Sequence, residues 1–440
     1  MVKKFFSAFF AIFLIFSIPF SVGAYEPTGI SISAKSALLV SLDTGEVIYN
    51  KNENDKVYPA SITKIMTSIL MLESEKFNPE AKIAMTDEVL KLISGTGSSV
   101  SNLKSGEEIT QLDLLYMVLM SSFGDTAYLA AIYYGGSVEG FVDMMNAKAQ
   151  ELGLKDTRYA NPVGLHDENN YTTASDTYIL ARYALQNKTF KEVSKSTRYT
   201  VGATNMSPAR TISTTIFLQD NTTNYYYSYA EGVKTGFTDE AGRCLVSTAS
   251  YNGYNYICIL FGCPTNADKR YDFLESKELY RWAFNNFRFK SIADTENPVC
   301  ELGVDLSLET DFVSLYVEES FISVLPKDAD ESTITIKPNL PKENASAPIK
   351  KGDVLATADI IYAEQKLGTV NLISHENIKR SVMLTVLNAV KNFLVSPYMK
   401  VVYVILLVVI IIFIVATIRL NSKAKKRRKV KYIPLDKNKH

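Results

Sequence analysis

Residues 58–67 read Y-P-A-S-I-T-K-I-M-T and place the hydroxyl of Ser61 three residues before the amine of Lys64. On a helix, this spacing puts both side chains on one face and within reach of each other. A serine becomes a nucleophile when a neighbouring base accepts its proton, and a lysine that burial keeps neutral can be that base. The pair is a candidate nucleophile and general base, although a capping serine followed by a solvated lysine has the same spacing.

A second element far downstream separates these two interpretations. Residues 232–239 read G-V-K-T-G-F-T-D and contain Lys234, Thr235 and Gly236. S-x-x-K followed by K-T-G is the signature of serine enzymes that react with penicillin. The two motifs in this order favour the catalytic interpretation.

The ends of the chain predict export and membrane anchoring. Residues 1–24 have a basic start, an apolar run and a small-residue end, as in a cleavable signal peptide. Residues 401–420 form an apolar stretch of the length that spans a bilayer, and the basic tail, residues 421–440, follows it. By the positive-inside rule, the tail is cytoplasmic and the body of the chain lies outside a cell, which we expect to be bacterial. A nucleic-acid patch is the alternative for the tail, but the zero net charge gives no support for nucleic-acid binding.

The scarcity of histidines and cysteines limits which catalytic bases and which metal sites the chain can have. The chain has only three histidines, and His166, in a turn-rich loop, is the one that a Ser-His-Asp arrangement would have to use. This scarcity favours lysine as the base and disfavours a zinc site, so we expect no metal or cofactor. We also expect no catalytic or metal role for the four cysteines, Cys244, Cys258, Cys263 and Cys300.

The pattern of apolar residues predicts an α/β (α+β) catalytic domain over residues 25–287, with helices around a mainly antiparallel sheet. Alternation around residues 31–49 predicts a hairpin, and residues 231–248 and 254–262 read as adjacent strands. Short apolar runs predict a small all-β domain at 288–375, which is either a spacer or a docking module. An amphipathic helix at 376–400 connects it to the membrane span.

From about Ile30 to Ile373, the chain resembles a serine-type D-alanyl-D-alanine carboxypeptidase, a low-molecular-mass penicillin-binding protein. Besides S-x-x-K and K-T-G, the resemblance rests on the motifs at residues 95–99 (G-T-G-S-S), 161–165 (N-P-V-G-L) and 171–176 (Y-T-T-A-S-D). It implies a catalytic domain of the kind shared by penicillin-binding proteins and serine β-lactamases. The implied partners are stem peptides ending in D-Ala-D-Ala, and β-lactam antibiotics.

The resemblance also implies roles for individual residues. Ser61 would be the acyl-ester nucleophile, Lys64 the proton acceptor and Ser122 a proton relay. Lys234 and Thr235 would bind the substrate carboxylate, and Gly236 would let the substrate backbone lie close to the strand. The residues that complete the implied set are Phe237, which would supply an oxyanion-hole N–H, and Arg270, which would either reach the carboxylate or form a surface ion pair.

One motif departs from the family pattern. Residues 122–127 read S-F-G-D-T-A, so Gly124 stands where the S-x-N triplet has asparagine. By analogy with removal of one preorganised donor, losing the amide costs on the order of 10²-fold in rate. The alternatives are therefore an active carboxypeptidase and a weakened homologue that binds stem peptides or partner proteins. A β-lactamase is a third, but no Glu-x-x-x-Asn segment occurs between Gly124 and Lys234.

Overall fold

A computed structural model describes residues 30–265 and 268–429, and within them the side chains of all but Glu331 and residues 424–429. The predicted signal peptide and the last part of the basic tail lie outside the described residues. The described chain divides into two compact units. The first comprises residues up to Ile292 together with Phe321–Thr335 and Ile361–Leu367, and the second comprises Ala293–Ser320, Ile336–Ile360 and the chain from Gly368 onward.

The main part of the first unit alternates strands and helices. Its strands are β1 (Ser36–Ser41), β2 (Val47–Lys51), β3 (Lys82–Ala84), β4 (Glu108–Thr110), β5 (Arg198–Val201), β6 (Arg210–Ser213), β7 (Ala230–Thr238), β8 (Gly242–Tyr251), β9 (Tyr254–Cys263) and β10 (Phe287–Ala293). Its helices are α1 (Lys64–Glu73), α2 (Asp87–Ile93), α3 (Gln111–Leu119), α4 (Gly124–Gly135), α5 (Val138–Glu151), α6 (Ala174–Ala184), α7 (Lys188–Lys195) and α8 (Tyr271–Asn286). The predicted α/β class is confirmed.

The principal sheet has five strands in the order β2-β1-β9-β8-β7, and β7 is one of its two edges. The predicted hairpin is present, with Leu38 opposite Asn50. The prediction of a single strand over residues 231–248 is wrong, because the chain reverses after Thr238 and forms two antiparallel strands. Gly242, with φ +68°, begins the second of them in the left-handed region that glycine adopts without steric cost.

Apolar side chains on the two faces of this sheet enter two separate cores. Strand residues alternate between the faces, so Leu38 and Val40 pack with the helices α1 to α6, whereas Ala37 and Leu39 pack with α8. Local signals fix where helices begin. Thr110 forms a capping box with Asp113 at the start of α3.

The remaining strands among the described residues are β11 (Cys300–Asp305), β12 (Phe312–Val317), β13 (Phe321–Pro326), β14 (Ile334–Asn339), β15 (Ala345–Ser346), β16 (Val354–Tyr362) and β17 (Gln365–Ser374). The second unit is built mainly on a six-stranded sheet with the order β14-β16-β17-β12-β11-β15. Strand β13 pairs with β10 in the first unit. The predicted all-β domain is thus confirmed as a sheet, although the residues of the predicted range 288–375 are divided between the two units.

Two helices end the described chain. The amphipathic pattern is realised in α9 (Val382–Val395), and the apolar run lies in α10 (Pro397–Lys429). Among the described residues, one helical segment is long and apolar enough to cross a membrane. This segment is Pro397–Lys423, and the mean hydropathy of its most apolar 18-residue window is 3.5. Its apolar side chains are exposed, which fits a lipid-facing helix.

Candidate active site

The two residues of the first motif meet at a turn. Ser61 lies in a short 3-10 helix, Ala60–Thr63, and Lys64 is the first residue of α1. The Lys64 Nζ atom lies 2.8 Å from the Ser61 Oγ atom, within hydrogen-bonding distance. A neutral Lys64 amine in this position is close enough to accept the proton of the Ser61 hydroxyl.

Lys64 is completely buried, and its surroundings favour the neutral amine. Burial lowers the pKa of Lys64 to about 7, against a smaller opposing effect of the Asp125 carboxylate. The amine also donates to the Val163 carbonyl oxygen at 2.8 Å, which orients it between that carbonyl and Ser61. The Lys64 amine is therefore held against Ser61 in surroundings that favour its unprotonated form.

The loop that supplies this carbonyl is organised by one side chain. The Asn161 Oδ1 atom accepts hydrogen bonds from the backbone N–H groups of Val163, Gly164 and Leu165, at 3.2, 2.7 and 3.0 Å. Gly164 has φ +89°, and a Cβ atom built on it would overlap the Ala60 carbonyl and lie 2.9 Å from the Ser61 nitrogen. The loop therefore packs directly against the turn Ala60–Thr63, which carries Ser61. The sequence marked N-P-V-G-L as a motif, but the motif gave no indication that Val163 holds Lys64.

Ser122 occupies a strained position immediately before α4. Its φ of +65° is unusual for a residue other than glycine, and such strain concentrates at functional sites. The neighbouring Ser121 hydroxyl donates to the Ser213 carbonyl, which anchors the segment. Among the described hydrogen bonds, none joins the Ser122 hydroxyl to either lysine.

At Gly124, the side chain that the family pattern would place there would have to displace two neighbouring side chains. A Cβ atom at this position would overlap Ser98 Oγ and lie 2.7 Å from Ile93 Cδ1 and 3.1 Å from Ser98 Cβ. The Gly124 N–H donates to the Ser99 carbonyl at 2.8 Å, so the backbone is also held close to this segment. The G-T-G-S-S segment thus fills the space beside Gly124.

The K-T-G element lies on the edge strand β7. Lys234 is completely buried, and its amine donates to the Thr235 carbonyl at 3.1 Å. Burial and repulsion from Lys64 lower the pKa of Lys234 well below its ordinary value, so the two amines compete for protons. The Thr235 hydroxyl lies 2.6 Å from that of Thr215, a neighbour that no sequence motif identified.

Gly236 and Phe237 continue the strand beside the nucleophile. A Cβ atom on Gly236 would lie 3.1 Å from the Pro59 carbonyl and 3.2 Å from the Ser61 nitrogen, closer than side chains normally approach. The absence of a side chain therefore lets β7 pack against the turn that carries Ser61. Phe237 is 47% exposed, and the Arg243 guanidinium lies 5.2 Å from its ring centroid.

Arg270 is engaged with its own helix. Its guanidinium donates to both carboxylate oxygens of Asp272, at 2.9 and 2.6 Å, and packs over the Phe273 ring. Asp272 is completely buried, so this is not the surface ion pair that the sequence suggested. The paired guanidinium has no described contact with Ser61, Lys64 or the K-T-G residues.

His166 and the cysteines make no described contact with the nucleophile. The His166 ring packs edge-on against Tyr58, with 4.7 Å between the centroids. All four cysteines are free, and burial raises the pKa of the Cys244 thiol to about 12, which suppresses the reactive thiolate. Within residues 30–265 and 268–429, no cluster of His, Cys, Asp and Glu could hold a metal ion.

Comparison with known proteins gives a consistent picture. Residues 22–265 match the family model described as D-alanyl-D-alanine carboxypeptidase, and residues 305–380 match that of the penicillin-binding protein 5 C-terminal domain. The D-alanyl-D-alanine carboxypeptidase DacF of Bacillus subtilis is 32% identical over 356 residues, which are 80% of this chain and 88% of that protein. For DacC of Escherichia coli, the identity is 28%, over 79% of this chain and 85% of DacC.

Solved structures agree with the sequence matches. Penicillin-binding protein 5 of Haemophilus influenzae superposes with a TM-score of 0.65 at 25% identity, covering 80% of this chain and 99% of that one. The Streptomyces K15 DD-transpeptidase gives a TM-score of 0.54 at 28% identity, covering 58% of this chain and 98% of that one. This second structure therefore matches a little more than half of the chain.

Proposed function

The chain belongs to the D-alanyl-D-alanine carboxypeptidase family of serine peptidases, and on that premise we propose that it removes the terminal D-alanine from peptidoglycan stem pentapeptides through an acyl-enzyme. Ser61 attacks the carbonyl between the two D-alanines as its proton passes to Lys64. The proton then reaches the leaving amine, and free D-alanine departs. Water hydrolyses the resulting ester. The 2.8 Å approach of Lys64 Nζ to Ser61 Oγ carries this proposal.

The edge strand β7 supports a mode of substrate binding. An edge strand has backbone groups that no neighbouring strand bonds, so an extended peptide can align along it. Backbone N–H groups of Ser61 and Phe237 would stabilise the developing oxyanion. Lys234 and Thr235 would bind the terminal carboxylate, whose negative charge favours the protonated form of Lys234.

Ser122 and Arg270 have less direct support. Ser122 would relay the proton between the lysines and the leaving group, and its strained backbone beside the site is consistent with that role. Arg270 would have to exchange its bonds to Asp272 for the substrate carboxylate. We therefore assign carboxylate binding to Lys234 and Thr235 first.

The direct test is to incubate the purified protein with a pentapeptide ending in D-Ala-D-Ala and to assay free D-alanine. A Ser61→Ala variant is the control for contaminating peptidases. Release by the wild type and none by the variant supports the proposal, together with covalent labelling of the wild type alone by a fluorescent penicillin. A protein that is folded but releases no D-alanine would refute it.

We further propose that the catalytic unit acts outside the membrane, with Pro397–Lys423 as the anchor. The length and apolar character of this helix support the anchor, and the basic residues after it support a cytoplasmic tail. Deleting residues 397–440 should move the protein from the membrane fraction to the soluble fraction. Retention of the truncated protein in carbonate-washed membranes would contradict this assignment.

Gly124 favours a second candidate, a homologue with weak catalysis. If the missing asparagine were the cause, Gly124→Asn would raise activity. We expect the opposite, a fall in kcat/KM of about tenfold, because the new side chain would displace the side chains of Ser98 and Ile93. Their displacement would disturb the neighbouring Ser99, whose hydroxyl donates to the Ser122 carbonyl. Steady-state D-alanine release measures the effect.

A double variant tests the steric explanation. Adding Ser98→Gly to Gly124→Asn removes two of the three close contacts, so it should recover part of the activity that the single variant loses. Ser98→Gly alone is the control. A tenfold gain from Gly124→Asn alone would instead support the weakened-homologue hypothesis.

The pKa of Lys64 predicts a pH dependence. Because the neutral amine is the active form, kcat/KM should rise as the pH increases through about 7 and level off above it. Since the folded pKa lies below the ordinary value, the folded state also binds fewer protons than the unfolded chain above pH 7. The free energy of unfolding should therefore increase with pH in that range. A flat activity profile from pH 5.5 to 8.5 would contradict the role of Lys64.

A further inference from the structure

A cavity lies beside the start of β7 and shares no residue with the candidate active site. Its volume is about 410 Å³, which is within the range of small-molecule sites. Its lining includes aromatic, cationic and amide side chains, among them Tyr226, Tyr229, Tyr251, Lys277, Arg281 and Asn285. Tyr229 precedes Lys234 by five residues, which corresponds to about 16 Å along the strand.

Three tyrosine rings of this cavity are unusually exposed. Tyr226, Tyr229 and Tyr251 are 41%, 36% and 38% exposed. The rings of Tyr229 and Tyr251 are 4.3 Å apart, and Phe284 packs edge-on against Tyr251 at 5.6 Å. A fixed cluster of exposed rings offers an apolar surface with hydroxyl groups at its edge, a feature of binding sites rather than of ordinary surface.

Two cations complete the cavity from α8. Lys277 and Arg281 are four residues apart on one helix face, where like charges repel each other. Neither Lys277 nor Arg281 takes part in an ion pair with another described residue. The Lys277 amine donates to the Tyr226 carbonyl at 2.9 Å, and burial and the nearby Arg281 lower its pKa. An anion placed between the two cations would relieve their repulsion.

We propose that this cavity binds a pyranose sugar that carries an anionic group, a carboxylate or a phosphate, within the cell-wall polymer. The apolar face of a sugar ring matches the tyrosine rings, and its hydroxyls match the side chains of Ser228 and Asn285. The anionic group pairs with Lys277 and Arg281. The inference rests on the proposed function, since the stem peptide substrate is attached to such a polymer.

The position of the cavity beside β7 gives sugar binding a role in the capture of polymeric substrate. The cavity lies on the amino-terminal side of Lys234, about 16 Å from it along the extended chain. The proposed substrate contacts run from Lys234 and Thr235 to Phe237, so the bound stem peptide extends away from the cavity. A sugar held at the cavity would belong to a neighbouring part of the polymer and would keep that polymer, with its stem peptides, near Ser61. The cavity would then favour polymeric wall material over free peptide.

Binding can be measured separately from catalysis with the full-length Ser61→Ala protein in detergent. Calorimetric titrations would use the peptide-free disaccharide of N-acetylglucosamine and N-acetylmuramic acid, N-acetylglucosamine 6-phosphate, and neutral diacetylchitobiose. We expect at least one anionic sugar to bind tenfold or more tightly than the neutral one, and the tighter of the two identifies carboxylate or phosphate as the anion. Equal binding of all three, or binding of none, would overturn the proposal.

Variants locate the binding. Tyr229→Ala and Arg281→Met should each weaken binding of the anionic sugar by about tenfold, whereas Lys191→Met on the exposed surface of α7 should not. Arg281 is itself exposed, so its replacement leaves both cores intact. Affinity unchanged in both cavity variants would place the sugar elsewhere and refute the assignment.

Measurements of D-alanine release separate the sugar-binding proposal from the proposed carboxypeptidase function. In the background with Ser61 intact, both cavity variants should release D-alanine from a free pentapeptide at the wild-type rate, but about tenfold more slowly from isolated wall polymer. Equal rates on the polymer would remove the cavity from substrate capture and leave the enzyme activity standing. Failure of the wild type to act on free pentapeptide would refute the proposed function whatever the sugars do.

Discussion

Replacing Lys64 with methionine is expected to reduce D-alanine release by about 10³-fold or more, the range typical for loss of a general base. Methionine is of similar length and apolar, so it fits the fully buried space of Lys64. It cannot accept the Ser61 proton or donate to the Val163 carbonyl. The rate of acylation by a fluorescent penicillin, followed by stopped-flow, measures the loss at the step that needs the base.

Lys51→Met is a matched control for this variant. The Lys51 amine also donates to a backbone carbonyl, that of Ile32 at 2.7 Å, but it lies on β2 and outside the candidate site. We expect the control to acylate within a few-fold of the wild type. If Lys64→Met retained a melting temperature near that of the wild type and acylated within tenfold of it, another group would have to be the base.

Gly164→Ala is expected to reduce kcat/KM by about 100-fold or more. The added Cβ atom would overlap the Ala60 carbonyl, and φ +89° is itself unfavourable for alanine. Relief of the overlap requires the loop to separate from the turn Ala60–Thr63, which removes the Val163 carbonyl that orients the Lys64 amine beside Ser61. D-alanine release and acylation by penicillin should fall together.

Gly153→Ala separates the two effects of that substitution. Gly153 has a similar φ of +73°, but nothing lies within 4 Å of a Cβ atom built on it. The control should therefore lose only about 1–2 kcal/mol of unfolding free energy, from backbone strain, and keep its activity. Equal losses of activity in both variants would show that backbone strain, and not contact with the turn Ala60–Thr63, explains the effect of Gly164→Ala.

Local sequence patterns predicted much of the fold because they act over a few residues. Alternation around Asp43 predicted the first hairpin, and the apolar period after Pro59 predicted the helix that follows Ser61. The strand prediction failed at Asp239 to Ala241, where the chain turns and reverses. Asp and Gly favour turns over strands, so Asp239 and Gly242 carried a local signal for the reversal, and the prediction of one strand followed the apolar residues on both sides instead.

The sequence by itself identified the pair Ser61 and Lys64, the K-T-G element and the family, because each depends on a short spacing or a local motif. Only the tertiary structure showed that Val163 holds Lys64, that Gly164 and Gly236 press against the turn that carries Ser61, and that Ser98 fills the space beside Gly124. These contacts join segments up to about 175 residues apart in the chain. Burial in the core between those segments also sets the pKa of Lys64, and no local pattern records it.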